Sequence, residues 1–435
     1  MKIYISRDYR KVLCAFILYF TIFIGFLTYN FSVSTSVLYL CDVVVVILLV
    51  ALSKRMHKLV KQRDIVRFLT PIFILLVFGS IVAILNGGSI VRWLWSIRNW
   101  GRLFAFFLIV LSIFEKKDCD RFCDFACKLY HVNFIVVLFQ ALFLRGRYTQ
   151  DSLNGLYGRD VSSVHITMTL VVVSIVTARY VTKKITYKKF LLIMAEVFIV
   201  AIIAELRVIP VIVIILVVLA YIMSFKLTVR KVFKAIGGIG IGVVGVLLVS
   251  YFLKIFYPET ALNYSVRSII DAASTTGGYG HSGGIDRLTF ITVINERIFN
   301  LKKEWIYGIG IGNAEYSAFT SLCSPFYQIY GNTLGYLRFS SAMLYIETGI
   351  IGIALYFLSF FNVFIHFFNM VKTRVKAHSF VEDSFYEILG GEIALINIFY
   401  IIYNNLQRTD VAYILAFYLA ISFVGIQKGY VDGKG

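Results

Sequence analysis

Arg98 and Arg102 stand four residues apart in the run VRWLWSIRNWGRLF, on one helical face leading into apolar sequence. Guanidinium groups are planar, paired donors, suited to gripping a phosphate or a carboxylate. Further arginines occupy short polar breaks: Arg159 in LYGRD, Arg207 in AELRVIP, Arg287 in GGIDRLTF and Arg338 in YLRFSS. Around them lie groups able to take a proton from a hydroxyl: Glu347 in YIETGIIG, Asp286 beside Arg287, Asp160 beside Arg159, and His281 in TTGGYGHSGG. Oxyanion binding next to a weak base is the chemistry these residue types allow.

The elements that must position them are membrane spans. The 435 residues are 59% hydrophobic and 15% charged, with mean hydropathy +0.81. Soluble domains carry about 25% charge. Apolar runs approach the ~20 residues that cross a bilayer. No short alternating segments suggest a β-barrel. The first run, VLCAFILYFTIFIGFLTY, has no small-residue cleavage site and reads as a retained helix. Spans are predicted near 12–29, 36–52, 68–85, 92–114, 129–144, 165–181, 190–204, 208–225, 235–253, 341–371 (membrane part from about 349), 388–403 and 410–426. The expected fold is an all-α polytopic membrane protein of about 12 transmembrane helices. Residues 1–253 would carry helices 1–9, 254–340 one large extracytoplasmic loop with short helices, and 341–435 helices 10–12. Within that loop IDRLTFITVINERIFNLKKEW has helical spacing and predicts a helix.

The connections alternate in charge. SKRMHKLVKQRDIVR, EKKDCDRFCDFACK, RYVTKKITYKK, FKLTVRKVFK and KTRVKAHSF are lysine-rich, as cytoplasmic loops are, and both termini fall on that side. The net charge of +19 is accounted for by this bias, and no basic-aromatic groove indicates nucleic acid. The opposite side holds three lysines, Lys254, Lys302 and Lys303. It and its helix ends hold twelve arginines: Arg92, Arg98, Arg102, Arg145, Arg147, Arg159, Arg207, Arg267, Arg287, Arg297, Arg338 and Arg408. Choosing arginine over lysine suits bidentate anion recognition. Plain alternatives stand beside this: Arg145 and Arg147 at headgroup level, and Arg207 paired with Glu205 or reaching headgroups. The tryptophans beside Arg98 mark an interfacial belt. That belt does not explain two arginines entering a span, where a charge is a functional candidate.

Other features read as structural. Cys119, Cys123 and Cys127 recur at helical spacing without a histidine to complete a zinc set, so one face of a short interfacial helix is expected and no metal. GIGIG at 308–312 is expected to be a tight turn, lacking the strand-helix setting of a nucleotide fingerprint. TTGGYGHSGG is a gate or a plain linker. Asp42 and Glu196 lie within spans and carry protons or make paired helix contacts. Glu347, at the N-terminal end of a span, is also stabilised there by the helix dipole. His57, His131, His165, His366 and His378 read as loop or packing residues.

LRFSSAMLYIETGIIGIALYF, preceded by GGIDRLTFITVINERIF and WIYGIGIGN, resembles the bacterial O-antigen and capsule polymerase (Wzy) family and its relatives, the O-antigen ligases. AELRVIPVIVIIL resembles that family's arginine-bearing hairpin, and LYGRDVSSVHITMTL its approach to an earlier span. The resemblance runs from about 145 to 365; the first third matches in hydropathy alone. It implies a GT-C-like membrane glycosyltransferase of the bacterial plasma membrane, metal- and cofactor-free. Donor and acceptor would be undecaprenyl-diphosphate-linked oligosaccharides, with a chain-length regulator and a flippase as further partners. By motif match Arg207 and Arg287 would hold the diphosphate. Arg338 and Glu347 complete the expected catalytic set, and Arg98, Arg102, Arg159, His281, Asp286 and Tyr336 the substrate-binding set. Tyr264, Tyr279, Tyr316, Tyr327 and Tyr330, with Tyr336, suit sugar stacking or a packed loop core. Ligases commonly carry a histidine about nine residues before the glutamate of E-x-G; here Arg338 stands there. That departure argues against a ligase and leaves the base unidentified. A flippase for the same lipid is the rival from another class, against which stand the large outer loop and the lack of repeated halves.

Overall fold

A computed structural model describes residues 8–144, 152–159, 161–206, 208–224, 284–317, 319–376, 384–407 and 409–426. These residues form helices and, among them, no strand. In chain order we label α1 (Tyr9–Phe31), α2 (Tyr39–Leu59), α3 (Arg63–Leu85), α4 (Ile90–Ile113), α5 (Lys116–Phe143), α6 (Ser162–Val181), α7 (Tyr187–Ile203) and α8 (Ile209–Ser224). There follow α9 (Phe290–Arg297), α10 (Lys302–Tyr307), α11 (Pro325–Leu334), α12 (Ser340–Lys376), α13 (Phe385–Tyr403) and α14 (Thr409–Ile426). Among the described residues eight helices are long and apolar enough to cross a membrane: α1 to α6, α12 and α13. The 209–224 and 411–426 helices are apolar but shorter. The protein is thus a polytopic membrane protein. The expected span 235–253, Arg207, His281, Asp160, Arg145, Arg147, Arg267, Arg408, Tyr264, Tyr279, His378 and nearly all of TTGGYGHSGG lie outside the described residues.

Burial follows the apolar pattern. α14 is apolar all round, and Val411–Ile421 has no exposed side chain, so it forms the centre of the bundle against α1, α4, α6 and α13. By contrast α2 turns Val43, Val46, Ile47 and Val50 outward, and α3 turns out Phe73, Ile81, Ile84 and Leu85. Apolar faces of this extent suit lipid rather than water.

Two elements differ from expectation. The charged, cysteine-bearing segment before residue 129 is the first part of α5 rather than a loop helix of its own. Its acids are matched within the bundle: Lys11 Nζ lies 2.7 Å from Asp118 and 3.3 Å from Glu115. Glu115 and Asp118 also form a capping box that starts the helix there. Cys119 and Cys123 are buried by this packing. The single helix expected over 285–305 is instead α9 and α10. Glu304 Oε2 accepts from the amides of Asn300 and Leu301, at 2.9 and 3.1 Å, capping a new helix where the first would have continued.

α12 carries the feature that organises one end of the molecule. Gly349 sits at φ 62°, ψ −163°, and kinks the helix within ETGIIG. Residues 308–314 run as an irregular ribbon of turns and bends past this kink. The amides of Ile309 and Gly310 donate to the carbonyls of Ile346 and Glu347 at 2.9 and 2.8 Å, and Ile311 donates to Gly79 of α3 at 3.1 Å. Gly308, Gly310 and Gly312 all have positive φ, so GIGIG is a turn-forming backbone laid directly on α3 and α12. A β-carbon on Gly349 would lie 2.3 Å from the backbone of Ile306. Gly349→Ala is therefore expected to lower stability by more than about 2 kcal/mol. Gly101→Ala on α4, with open space around the added atom, is expected to be neutral or mildly stabilising. Thermal unfolding midpoints in detergent check both.

Candidate functional site

At the end of the bundle where the ribbon lies, a cavity of about 680 Å³ opens between α1, α2, α4 and residues 315–316, with Leu337, Asn405 and Gln407 on its far side. Arg98, Arg102 and Arg159 all line it. Three of the expected binding residues are thus brought together from two separate stretches of chain.

α4 supplies Arg98 and Arg102 one turn apart. Asp42 of α2 faces both, its Oδ2 3.0 Å from Arg98 and 3.3 Å from Arg102, while the Tyr413 hydroxyl donates to its Oδ1 at 2.5 Å. Asn99 Oδ1 accepts from Arg98 at 2.8 Å and also from Arg102. The Arg98 guanidinium lies over the rings of Trp95, at 3.6 Å, and Tyr39, at 4.8 Å. Two guanidinium groups thus share one helix face in apolar surroundings, where charge is screened weakly and anions are attracted.

Arg159 arrives on a short loop. Gly155 is tied to Gln140 of α5 in both directions, Leu156 donates to Asn133 Oδ1 at 2.7 Å, and His165 Nδ1 meets Asn154 Oδ1 at 3.0 Å. Gly158 crosses α1 backbone to backbone, where a β-carbon would lie 2.1 Å from Gly25. Buried amides and one buried histidine thus fix the loop, and Arg159 reaches the cavity beside Tyr29. His165 has the packing role expected for it. Glu196 pairs with His131 at 2.8 Å, so Asp42 and Glu196 each make paired contacts.

Glu347 was expected to act on substrate, and its surroundings support a different role. It has 0% exposure and does not line the cavity. Oε1 accepts from the amides of Gly312 and Ala314 at 2.8 and 3.1 Å; Oε2 accepts from Trp100 Nε1 at 3.0 Å and Ser96 Oγ at 3.4 Å. Four donors fill the four lone-pair positions of a carboxylate, leaving none for an acceptor hydroxyl. Tyr336 fits the packed-core alternative: it is fully buried, donates to the carbonyl of Ala314 at 2.6 Å and packs against Phe326 and Tyr327.

Arg287, Arg338 and Asp286 are not among the cavity-lining residues. The Arg287 guanidinium lies between the rings of Phe339 and Tyr403, at 4.9 and 4.6 Å. Arg338 is exposed on the turn that follows α11, and Asp286 is buried. The cavity also holds residues that were not anticipated. Asn99, Asn405 and Gln407 line it, and among the described residues Glu315 is the one acid that does. Asn405 and Gln407 occupy the connection between α13 and α14, where the Ser340 hydroxyl donates to Gln407 at 2.9 Å and Leu406 donates to Ser340 Oγ at 2.6 Å. Their signal was the amide-rich run YNNLQ between two apolar spans.

Glu315 is 5% exposed. Its Oε1 accepts from Asn99 Nδ2 at 2.8 Å and from the Tyr316 amide at 3.2 Å, and Oε2 makes no hydrogen bond to the described residues. Burial raises its pKa above the ordinary carboxylate value, opposed by the charges of Arg98 and Arg102.

The sequence matches no protein-family model and no curated protein. The roles of Glu347 and the cavity separate in one experiment. Glu347→Gln turns an NH2 group or a lost acceptor toward four fixed donors and is expected to lower stability by about 2–3 kcal/mol. Thermal unfolding in detergent reads this. A Glu347→Gln protein of normal stability would return the residue to the catalytic candidates.

Proposed function

We propose that the cavity binds the diphosphate of a lipid-linked sugar donor, and that the protein is a polysaccharide polymerase of the kind its 145–365 segment resembles. The observation that carries this is the convergence of Arg98, Arg102 and Arg159 on one cavity at the end of an apolar bundle. Guanidinium groups hold phosphate oxygens bidentately, and the volume lies within the range of about 300–1,000 Å³ usual for ligand sites. Tyr29, Tyr39 and Tyr316 line the same space and offer rings on which a sugar stacks.

In this reading repeat units carried on undecaprenyl diphosphate reach the outer face of the bacterial plasma membrane. The growing chain is transferred from its carrier to the end of a newly arrived unit. The diphosphate is already a good leaving group, so cationic donors on its oxygens lower the barrier electrostatically as negative charge develops. The architecture we infer has twelve spans, the ninth at 235–253, in a GT-C-like arrangement with both termini cytoplasmic. The lysine-rich connections support that orientation. Arg207 remains a candidate for the same diphosphate.

The test uses cells lacking this protein, complemented with wild type, Arg98→Ala, Arg159→Ala, Arg159→Lys or Arg207→Ala, with membrane expression verified. Lipid-linked glycans are resolved on gels. The expected result for Arg98→Ala and Arg159→Ala is single repeat units in place of a polymer ladder, from a rate loss of about 100-fold or more. Arg159→Lys should recover only part. An unchanged ladder from normally expressed Arg98→Ala and Arg159→Ala would remove the cavity from the reaction. In reconstituted vesicles, translocation of the lipid without linkage of units would identify a flippase instead.

A further inference from the structure

We infer that Glu315 is the general base that takes the proton from the acceptor hydroxyl, an inference that rests on the glycosyl-transfer reading above. Several independent features of the site lead to it. Glu315 is the only acid lining the cavity among the described residues, while Glu347 and Asp42 have their oxygens engaged elsewhere. It is oriented without being neutralised: no ion pair reaches it among the described residues, and two donors hold Oε1 while Oε2 is left over. A carboxylate fixed through one oxygen keeps the other for a substrate proton.

Its placement relative to the cations matters equally. Asn99 joins the two halves of the site, since its carbonyl oxygen accepts from Arg98 and Arg102 while its amide nitrogen donates to Glu315. One amide side chain therefore separates the groups that would hold the leaving diphosphate from the group that would activate the nucleophile. A reacting sugar carbon must lie between two such sites. The ribbon supplies the carboxylate from Gly312–Tyr316, whose amides at 312 and 314 are clamped on Glu347, so Glu315 is held by a fixed backbone.

The acceptor hydroxyl oxygen forms a bond to the anomeric carbon of the donor as the bond from that carbon to the diphosphate oxygen breaks. The lipid diphosphate leaves with the bonding pair, its charge held by Arg98, Arg102 and Arg159. The hydroxyl proton passes to Glu315, which returns it to water in the cavity before the next cycle. A raised pKa suits this task, because a base works best when its pKa lies near the working pH.

The experiment uses the purified full-length protein in proteoliposomes, with the lipid-linked repeat unit extracted from cells lacking the protein as the probe. Glu315→Gln preserves the acceptor toward Asn99 and Tyr316. It is expected to lower turnover by at least about 100-fold while leaving the donor KM within about threefold. In wild type the rate rises with pH as Glu315 ionises; that limb is absent from the residual activity of Glu315→Gln. Glu315→Asp keeps a carboxylate, and is expected to retain part of the rate together with a pH limb. A Glu315→Gln protein with turnover within threefold of wild type and the same pH profile would overturn the assignment and leave the glycosyltransferase reading intact. So would a Glu315→Asp protein as slow as Glu315→Gln whose unfolding midpoint has fallen with it. Wild type that elongates nothing in this assay would sink both together.

Discussion

A carboxylate with no access to water holds one end of this molecule in shape. Glu347 lies on a kinked helix, and its four hydrogen bonds come from three places: the ribbon at 312 and 314, Trp100 and Ser96. Trp100 and Ser96 belong to α4, between and beside the arginines that face the cavity. The same carboxylate therefore sets the depth of α4, the path of the ribbon and the distance between them. A carboxyl group in such a place is tolerated because its hydrogen-bond partners replace the water it lost, and breaking that set is expensive. Gly349 belongs to the same arrangement, since the kink there brings the carbonyls of Ile346 and Glu347 within reach of ribbon amides.

From that frame the site acquires its charge pattern. Three guanidinium groups line the cavity, Asp42 pairs with two of them, and Glu315 lines it too, one amide side chain away. Asn99 lies at the junction and makes contact with both signs of charge.

Much of the fold could be read from hydropathy, because each apolar run is about as long as a bilayer is thick. The front of α5 could not, since its lysines, acids and cysteines lowered the local hydropathy. Only the bundle supplies Lys11 as the partner that keeps Asp118 helical. The spacing of Arg98 and Arg102 placed them on one face, and both do line the cavity. Arg287 looked equivalent by type and motif. Its fate was decided by Phe339 and by Tyr403, whose carbonyl lies 116 residues along the chain. Glu315 gave no signal of its own, because its burial depends on how GIGIGN lies on α3 and α12. Glu347 was recognisable as unusual, yet its role depended on donors from residues 96 and 100 that no local pattern connects to it.

The pairing of Asp42 with Arg98 and Arg102 has a consequence for biosynthesis. A single arginine delivered to the centre of an inserting helix costs roughly 2.5–3.5 kcal/mol, less near its ends. α4 carries Arg98 and Arg102 beyond Arg92 at its start, on a segment less apolar than its neighbours. Asp42 lies on α2, made some 60 residues earlier, so its carboxylate is already in the membrane when the arginines emerge. Tyr413, which completes the cluster, is synthesised 371 residues after Asp42. Insertion of α4 can thus draw on a counter-ion that came first, while the tyrosine locks the cluster only when the last described helix arrives.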